Sequence, residues 1–197
     1  YMTLPESDIA EIHALFPKLR IVFIARDLVH RAWSALTMAL RNNVQGMQAG
    51  QFQNNTNTTD LDSVTQNRME KEADPDRQTD EYFMNRLEHS THTQRSDYAA
   101  GLRRWLQYFD AEQILIVNYD EISKDPKGLM EKVLTHIGVT SELELSMSEL
   151  QKRFNVATKP RPIRPSLRKK MEAYLQPRAK EFNGLLKESG YEWTLKE

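Results

Sequence analysis

Hydrophobic residues recur along the chain in two patterns. Two short, unbroken apolar runs rich in β-branched residues predict strands buried on both faces, since they are too short for typical helices. Apolar residues three or four positions apart predict helices after Pro5 and Asp27, across 98–109, and from the Asp125–Pro126 cap to Gly138. The two predicted strands are Ile21–Ala25 and 114–117. This alternation predicts an α/β fold with a mostly parallel sheet flanked by helices.

The last third of the chain predicts three more helices and one irregular segment. The helices are expected at 143–154, from Leu167 to near Pro177, and from Phe182 to near Gly190. Between the first two, residues 159–165 contain three prolines, which remove backbone donors and restrict their neighbours. This segment is therefore predicted to be a stiff, basic loop.

Residues 42–96 break the pattern, because Gln, Asn, Thr, Asp and Arg dominate and apolar residues are scattered. We predict an excursion outside the core of a single domain over residues 1–197, ordered by a ligand or partner. The alternative is a disordered surface insertion. Because two strands make too small a sheet for a domain of this size, we also expect further strands, and we place them before Tyr1 rather than within the excursion.

Composition narrows the class of protein. The chain has 197 residues, 39% of them hydrophobic, and 27 basic against 28 acidic side chains. This balance excludes a collagenous, wholly disordered or strongly basic chain, and we expect no nucleic-acid partner. The absence of cysteine excludes disulfides, thiolate metal sites and thiol nucleophiles. No apolar run approaches the roughly 20 residues that span a bilayer, so a soluble, cytoplasmic protein without a membrane segment is expected.

Arg26 is the first candidate for a binding residue. It follows a buried strand, at the edge of α/β sheets where ligands bind, and its planar guanidinium suits a phosphate. Ser34 lies two helical turns further and offers a hydroxyl. The alternatives are an ion pair between Arg26 and Asp27 and a solvated Ser34. No glycine-rich nucleotide-binding motif occurs in the chain.

Four segments in order resemble the sulfotransferases that use 3′-phosphoadenosine 5′-phosphosulfate. Segment 21–34, IVFIARDLVHRAWS, is similar to their 3′-phosphate-binding strand and helix, with Leu28 where proline is usual. Similar matches are YAAGLRRW at 98–105, ILIVNYDEI at 114–122, and the Asp125–Pro126 helix that ends in IGV at 137–139. The resemblance implies a P-loop NTPase-like sulfotransferase fold, of which the chain resembles the carboxyl-terminal two thirds.

The resemblance also implies roles for single residues. Arg26 and Ser34 match the residues that bind the 3′-phosphate, and Tyr119 matches a position near the adenine. Lys159 and Arg161 are the nearest match to a phosphate-binding Lys-Gly-Arg loop, with proline in place of glycine and Arg164 as a substitute. The alternative for Tyr119 is a tyrosine that merely ends a strand. The alternative for Lys159 and Arg161 is a solvated basic turn.

The implied function is transfer of a sulfuryl group from 3′-phosphoadenosine 5′-phosphosulfate to a hydroxyl or amine of a small-molecule or glycan acceptor. Adenosine 3′,5′-bisphosphate is then the product. Residues 42–96 are the candidate acceptor-covering region. The catalytic base and the phosphosulfate loop are expected before Tyr1, so residues 1–197 alone are predicted to be inactive. His30, His89 and His92 are not assigned as bases, and no metal is expected. The alternative function is a non-catalytic module that binds a nucleotide or partner.

Overall fold

The computed structural model of the chain describes residues 2–52, 74–139 and 162–197, apart from the side chains of residues 43–52. Helices alternate with strands in these ranges. In chain order the elements are α1 (Glu6–Leu15), β1 (Ile21–Ala25), α2 (Leu28–Phe52), a 3₁₀ turn (Pro75–Arg77), α3 (Asp80–Leu87), α4 (Ser90–Ser96), α5 (Tyr98–Leu106), a 3₁₀ turn (Ala111–Gln113), β2 (Ile114–Asn118), α6 (Glu121–Lys124), α7 (Pro126–His136) and α8 (Pro165–Glu188).

Strands β1 and β2 pair in parallel, with Ile21 opposite Ile114 and Ala25 opposite Asn118. The parallel pairing and the alternation with helices confirm the predicted α/β class. Across the described ranges, the sheet consists of these two strands. The prediction that β1 is buried on both faces is wrong at Ile24, which is 48% exposed. Successive side chains of a strand point to opposite faces, so Phe23 is covered while Ile24 faces the other way.

The chain divides into two compact units. The first contains Tyr1–Leu28, Gln94–Pro160 and Leu175–Glu197, and the second contains Val29–Thr93 and Arg161–Tyr174. The predicted single domain over residues 1–197 stays a prediction. An aromatic cluster forms part of the first unit's core: the ring centroid of Tyr98 lies 5.1 Å from that of Phe23 and 5.3 Å from that of Phe182, both edge to face. Edge-to-face pairs of this kind stabilise cores beyond their buried area.

The described part of residues 42–96 is largely helical, and whether these residues form an excursion outside the core of a single domain stays a prediction. α2 continues to Phe52, and α3 and α4 occupy most of 80–96. Thr79 caps α3 by accepting a hydrogen bond from the backbone N–H of Tyr82 at 3.1 Å. Phe83 and Leu87, one turn apart, are 1% and 0% exposed and anchor α3 in its unit. Because Phe83 and Leu87 are two apolar residues among many polar ones, the sequence shows no hydrophobic periodicity from which α3 could be predicted.

α8 is one continuous helix, so the predicted break at Pro177 is also wrong. A proline inside a helix removes one backbone hydrogen bond and costs about 3 kcal/mol. Buried side chains on both sides of Pro177 offset that cost, because they form a single apolar stripe at helical spacing. The stripe consists of Leu167, Met171, Leu175, Ala179, Phe182 and Leu186.

α7 confirms the prediction from local sequence. Asp125 caps it by accepting a hydrogen bond from the backbone N–H of Gly128 at 2.9 Å, and Pro126 follows at the first helical position. Gly138, just beyond the helix, has a φ of 78°, which glycine adopts without strain. The helix predicted at 143–154 lies outside the described residues.

Candidate functional site

Arg26 and Tyr119 lie together at the carboxyl edge of the sheet. Because β1 and β2 are parallel and end in register, the residue after each strand is placed beside the other. The guanidinium carbon of Arg26 lies 4.5 Å from the centroid of the Tyr119 ring. The backbone N–H of Tyr119 also donates to the carbonyl of Ala25 at 2.8 Å, which extends the strand pairing by one bond. The tertiary structure thus joins two predicted site residues 93 positions apart.

Tyr98 holds the backbone of Arg26 from inside the unit. Its ring is buried in the aromatic cluster with Phe23 and Phe182, and its hydroxyl donates to the carbonyl oxygen of Arg26 at 3.3 Å. Arg26 is therefore restrained at its backbone by one tyrosine and at its side chain by another. The sequence analysis did not identify Tyr98 as part of the site. Tyr98 occupies a position on the apolar face of a predicted helix, where phenylalanine would pack equally well. A tyrosine there indicates that its hydroxyl has a hydrogen-bond partner, and this signal could have identified Tyr98.

The charge of Arg26 is not neutralised by a carboxylate within the described ranges. The ion pair with Asp27 that the sequence left open is not formed there, and the side chain of Arg26 is half-buried. Tyr119 is 39% exposed, so solvent reaches the ring on which the guanidinium lies. Guanidinium groups remain protonated and present five N–H donors. The arrangement can therefore bind an anion, with a planar group beside it.

Ser34 belongs to the second unit and lies on the exposed side of α2. Its neighbours Ala32 and Leu36 are buried, at 0% and 1% exposure. This agrees with the predicted position of Ser34 opposite the apolar face. The role of Ser34 in binding phosphate stays a prediction.

Lys159 and Arg161 lie outside the described residues. The substitute, Arg164, makes an ion pair with Asp80 at the start of α3, and its guanidinium lies 5.8 Å from the Phe83 ring. Lys170 also approaches Asp80, at 3.2 Å between Nζ and Oδ2. Hydrogen bonding from Arg164, with smaller contributions from Ser166 and Lys170, lowers the pKa of the Asp80 carboxyl. Arg164 thus fastens its own segment to α3, and its charge is compensated.

The three histidines singled out by the sequence lie in the second unit. The side chain of Arg168 lies 3.5 Å from Nε2 of His30. His89 and His92 lie at the corner where α3 turns into α4. Within the described ranges, no group of three or more His, Asp or Glu side chains is placed to hold a metal ion.

Comparison with known proteins gives one family and two informative relatives. A family model described as "Sulfotransferase domain" matches residues 7–193. The mouse protein "Bifunctional heparan sulfate N-deacetylase/N-sulfotransferase 4" is 37% identical over 49 residues. This match covers 25% of the present chain and 6% of the mouse protein.

A solved sulfotransferase structure from Alicyclobacillus acidocaldarius has a similar fold, with a TM-score of 0.53 and 17% sequence identity. The similarity covers 92% of the present chain and 60% of that chain. The chain therefore spans less than two thirds of the length of either relative. Of the helices that the structure describes, none combines the length and hydrophobicity needed to cross a membrane.

Proposed function

The chain belongs to the sulfotransferase domain family, and from this premise we propose that it binds 3′-phosphoadenosine 5′-phosphosulfate and serves in sulfuryl transfer to a hydroxyl or amine. The observation that carries this proposal is the Arg26 guanidinium at the carboxyl edge of β1, held on Tyr119 and free of a carboxylate partner within the described ranges. When bound, the nucleotide supplies an activated sulfuryl group, and adenosine 3′,5′-bisphosphate is released.

The side chains at the sheet edge fit this nucleotide. Arg26 would hold the 3′-phosphate by charge-assisted hydrogen bonds, and Ser34 is assigned to the same phosphate from the family resemblance. The Tyr119 ring would lie beside the adenine. Tyr98 would fix the direction in which Arg26 leaves the strand. These residues bind and orient the donor, which lowers the entropic cost of reaching the reactive geometry. Lys159 and Arg161 are proposed phosphate contacts on the resemblance alone.

The proposed acceptor is a small molecule or a glycan. The mouse relative is named for a reaction on heparan sulfate, which supports a glycan as one class. Residues 42–96 are the proposed acceptor-covering region. Acceptor attack requires a base that takes the proton from the hydroxyl or amine, and no described residue is assigned that role.

Calorimetric titration with adenosine 3′,5′-bisphosphate tests the proposed donor site. Arg26→Ala should weaken binding by about 1.5 to 3 kcal/mol, the usual loss for hydrogen bonds to a charged group. Arg20→Ala is the matched control, because Arg20 flanks the opposite end of β1 and donates to the carbonyl of Glu112. Its affinity should equal that of the wild type. Equal affinity of the Arg26→Ala protein would remove Arg26 from the site.

The alternative is a module that binds the nucleotide or a partner without turnover. Sulfuryl transfer from radiolabelled donor should be measured with residues 1–197 and with the complete reading frame, over a panel of sugars and small alcohols. Transfer by the complete protein supports the enzyme, and nucleotide binding without transfer supports the binding module. Residues 1–197 alone are expected to be inactive, and turnover by them would contradict that expectation.

A further inference from the structure

The outer edge of β2 is contacted by residues 191–197, the segment that follows α8. β1 pairs with one edge of β2, and within the described ranges no third strand pairs with the other, outer edge. The N–H of Tyr119 faces β1, so alternation along the strand turns the N–H of Ile116 outward. That N–H donates to the hydroxyl of Tyr191 at 2.9 Å. A side chain of the same unit thus takes a donor that a neighbouring strand would otherwise take.

The end of α8 directs this segment back to the sheet. Gly190 has a φ of 80°, a left-handed conformation that glycine adopts without strain. Its N–H donates to the carbonyl of Lys187 at 3.1 Å, and the N–H of Tyr191 donates to the carbonyl of Leu186 at 2.9 Å. Bonds of this kind close the last turn of a helix and redirect the chain. The turn therefore places Tyr191 at the edge of β2.

Asn183 of α8 fastens the segment with its side-chain amide. The amide oxygen accepts from the backbone N–H of Leu195 at 2.8 Å, and the amide nitrogen donates to the carbonyl of the same residue at 3.0 Å. Asn183 is 7% exposed and Leu195 is 5% exposed, so a lost partner here would cost about 1 to 3 kcal/mol. The rings of Phe182 and Trp193, 6.4 Å apart, add an aromatic contact. The segment is therefore held at Tyr191, Trp193 and Leu195.

β2 has the composition of a strand that self-associates when its edge is open. Its sequence, ILIVN, contains four apolar residues, three of them β-branched, and no charged residue, glycine or proline. Open edges of such strands pair with other chains, and folded proteins cover them with loops, charges or prolines. Two identical strands can pair about a two-fold axis, because each presents the same edge to the other. The occupant expected at an uncovered β2 edge is therefore the β2 of a second copy.

We infer that residues 191–197 form a protective strap, which covers the outer edge of β2 and keeps it from pairing with the β2 edge of a second copy. The strap contacts the β2 backbone through the Tyr191 hydroxyl and is anchored on α8 through Asn183 and Leu195. Because these contacts lie outside the β1–β2 pairing, the strap can detach while the two strands stay paired. This role is separate from the proposed sulfuryl transfer.

Light scattering of two variants over a range of protein concentrations tests the strap. Leu195→Asp puts a carboxylate at a buried position and should detach the strap, so the average molar mass should rise with concentration toward about twice that of the wild type. Thr194→Asp is the matched control, because Thr194 is exposed on the same segment and receives the same charge. It should match the wild type. Equal molar masses for Leu195→Asp and the wild type, or equal association of the two variants, would overturn the proposal.

Hydrogen exchange in the Leu195→Asp protein locates the new contact. At low concentration the Ile116 amide should exchange at least roughly tenfold faster than in the wild type, because Tyr191 no longer accepts from it. At high concentration it should become protected again, because the second copy supplies an acceptor. The amide of Tyr119, which donates to Ala25 within the sheet, should stay protected at both concentrations. Association without renewed protection of the Ile116 amide would contradict pairing through β2.

Tyr191→Phe tests the strap even if the Leu195→Asp protein does not fold. This change removes one hydroxyl and keeps the ring. The Ile116 amide should then exchange roughly three- to tenfold faster than in the wild type, on the scale of one lost neutral hydrogen bond. An unchanged exchange rate would overturn the proposal, because Tyr191 would then not protect the edge of β2.

Discussion

Arg26 shows how single residues prepare the proposed donor site. Its backbone carbonyl accepts from Tyr98, and its guanidinium lies on the ring of Tyr119. An arginine loses considerable side-chain entropy when it is fixed, so restraint before binding leaves more of the interaction energy for affinity. Tyr98 is therefore a positioning residue, which acts on the nucleotide through Arg26.

Tyr98→Phe should weaken binding of adenosine 3′,5′-bisphosphate by roughly three- to tenfold, on the scale of one lost neutral hydrogen bond. Tyr191→Phe is the matched control, because its hydroxyl accepts from the backbone N–H of Ile116 at 2.9 Å in the same unit. Both variants should lose stability in urea unfolding, and the control should keep its nucleotide affinity. If Tyr98→Phe keeps full affinity, Tyr98 has only a packing role.

At the scale of elements, some helices are specified by their own capping residues and others by packing against distant parts of the chain. α7 is specified by its own ends, with Asp125 as cap and Gly138 after the last turn. None of its residues is fully buried, so its caps carry a large share of its stability. α8 is the opposite case, since buried side chains on both sides of Pro177 keep it one continuous helix.

Asp125→Ala should lower the free energy of unfolding by about 1 kcal/mol, the typical cost of a lost N-cap. Asp120→Ala is a suitable control, because Asp120 precedes α6 without a side-chain capping bond and its carboxylate makes an exposed contact with Lys124. It should change stability by less than about 0.5 kcal/mol, as expected for a surface pair. Equal losses of unfolding free energy in the two variants, measured by urea unfolding, would show that the Asp125 cap does not stabilise the protein more than an exposed surface carboxylate does.

At the scale of the whole molecule, ion pairs connect distant segments. Asp80 and Arg164 lie 84 positions apart and join the start of α3 to the residue before α8, within the second unit. The Asp80 side chain is only 15% exposed and also meets Lys170. Because Arg164 lowers the pKa of Asp80, the folded carboxyl stays ionised at a pH where the unfolded one, with a pKa of about 3.9, is protonated.

This shift predicts a pH dependence of stability. The Asp80 contribution should be complete above about pH 5, shrink as the pH falls through the ordinary carboxyl range, and vanish below the lowered pKa. Asp80→Asn should therefore lose stability at pH 7 and show a smaller further loss on acidification than the wild type. Glu81→Gln, an exposed neighbour on α3, should follow the wild-type profile in urea unfolding. An unchanged acid profile in Asp80→Asn would rule out this linkage.

Much of the fold could be predicted from the sequence, because the signals are local. The two apolar runs gave β1 and β2, and the Asp125–Pro126 cap with Gly138 gave α7. The candidate Arg26 was found from its position after a strand and from family resemblance. The apolar runs and the cap signals each lie within or beside the element that they specify, which is the range over which capping, helical periodicity and strand composition act.

Tertiary contacts decided the rest. The parallel register brought Arg26 to Tyr119, and the buried hydroxyl of Tyr98 reached the Arg26 carbonyl across 72 positions. α3 depends on its two buried anchors, and α8 passes Pro177 because burial on both sides offsets the lost hydrogen bond. Sequence patterns carry the preferences of neighbouring residues, whereas these features arise from contacts between residues far apart in the chain, whose energies exceed the local preferences.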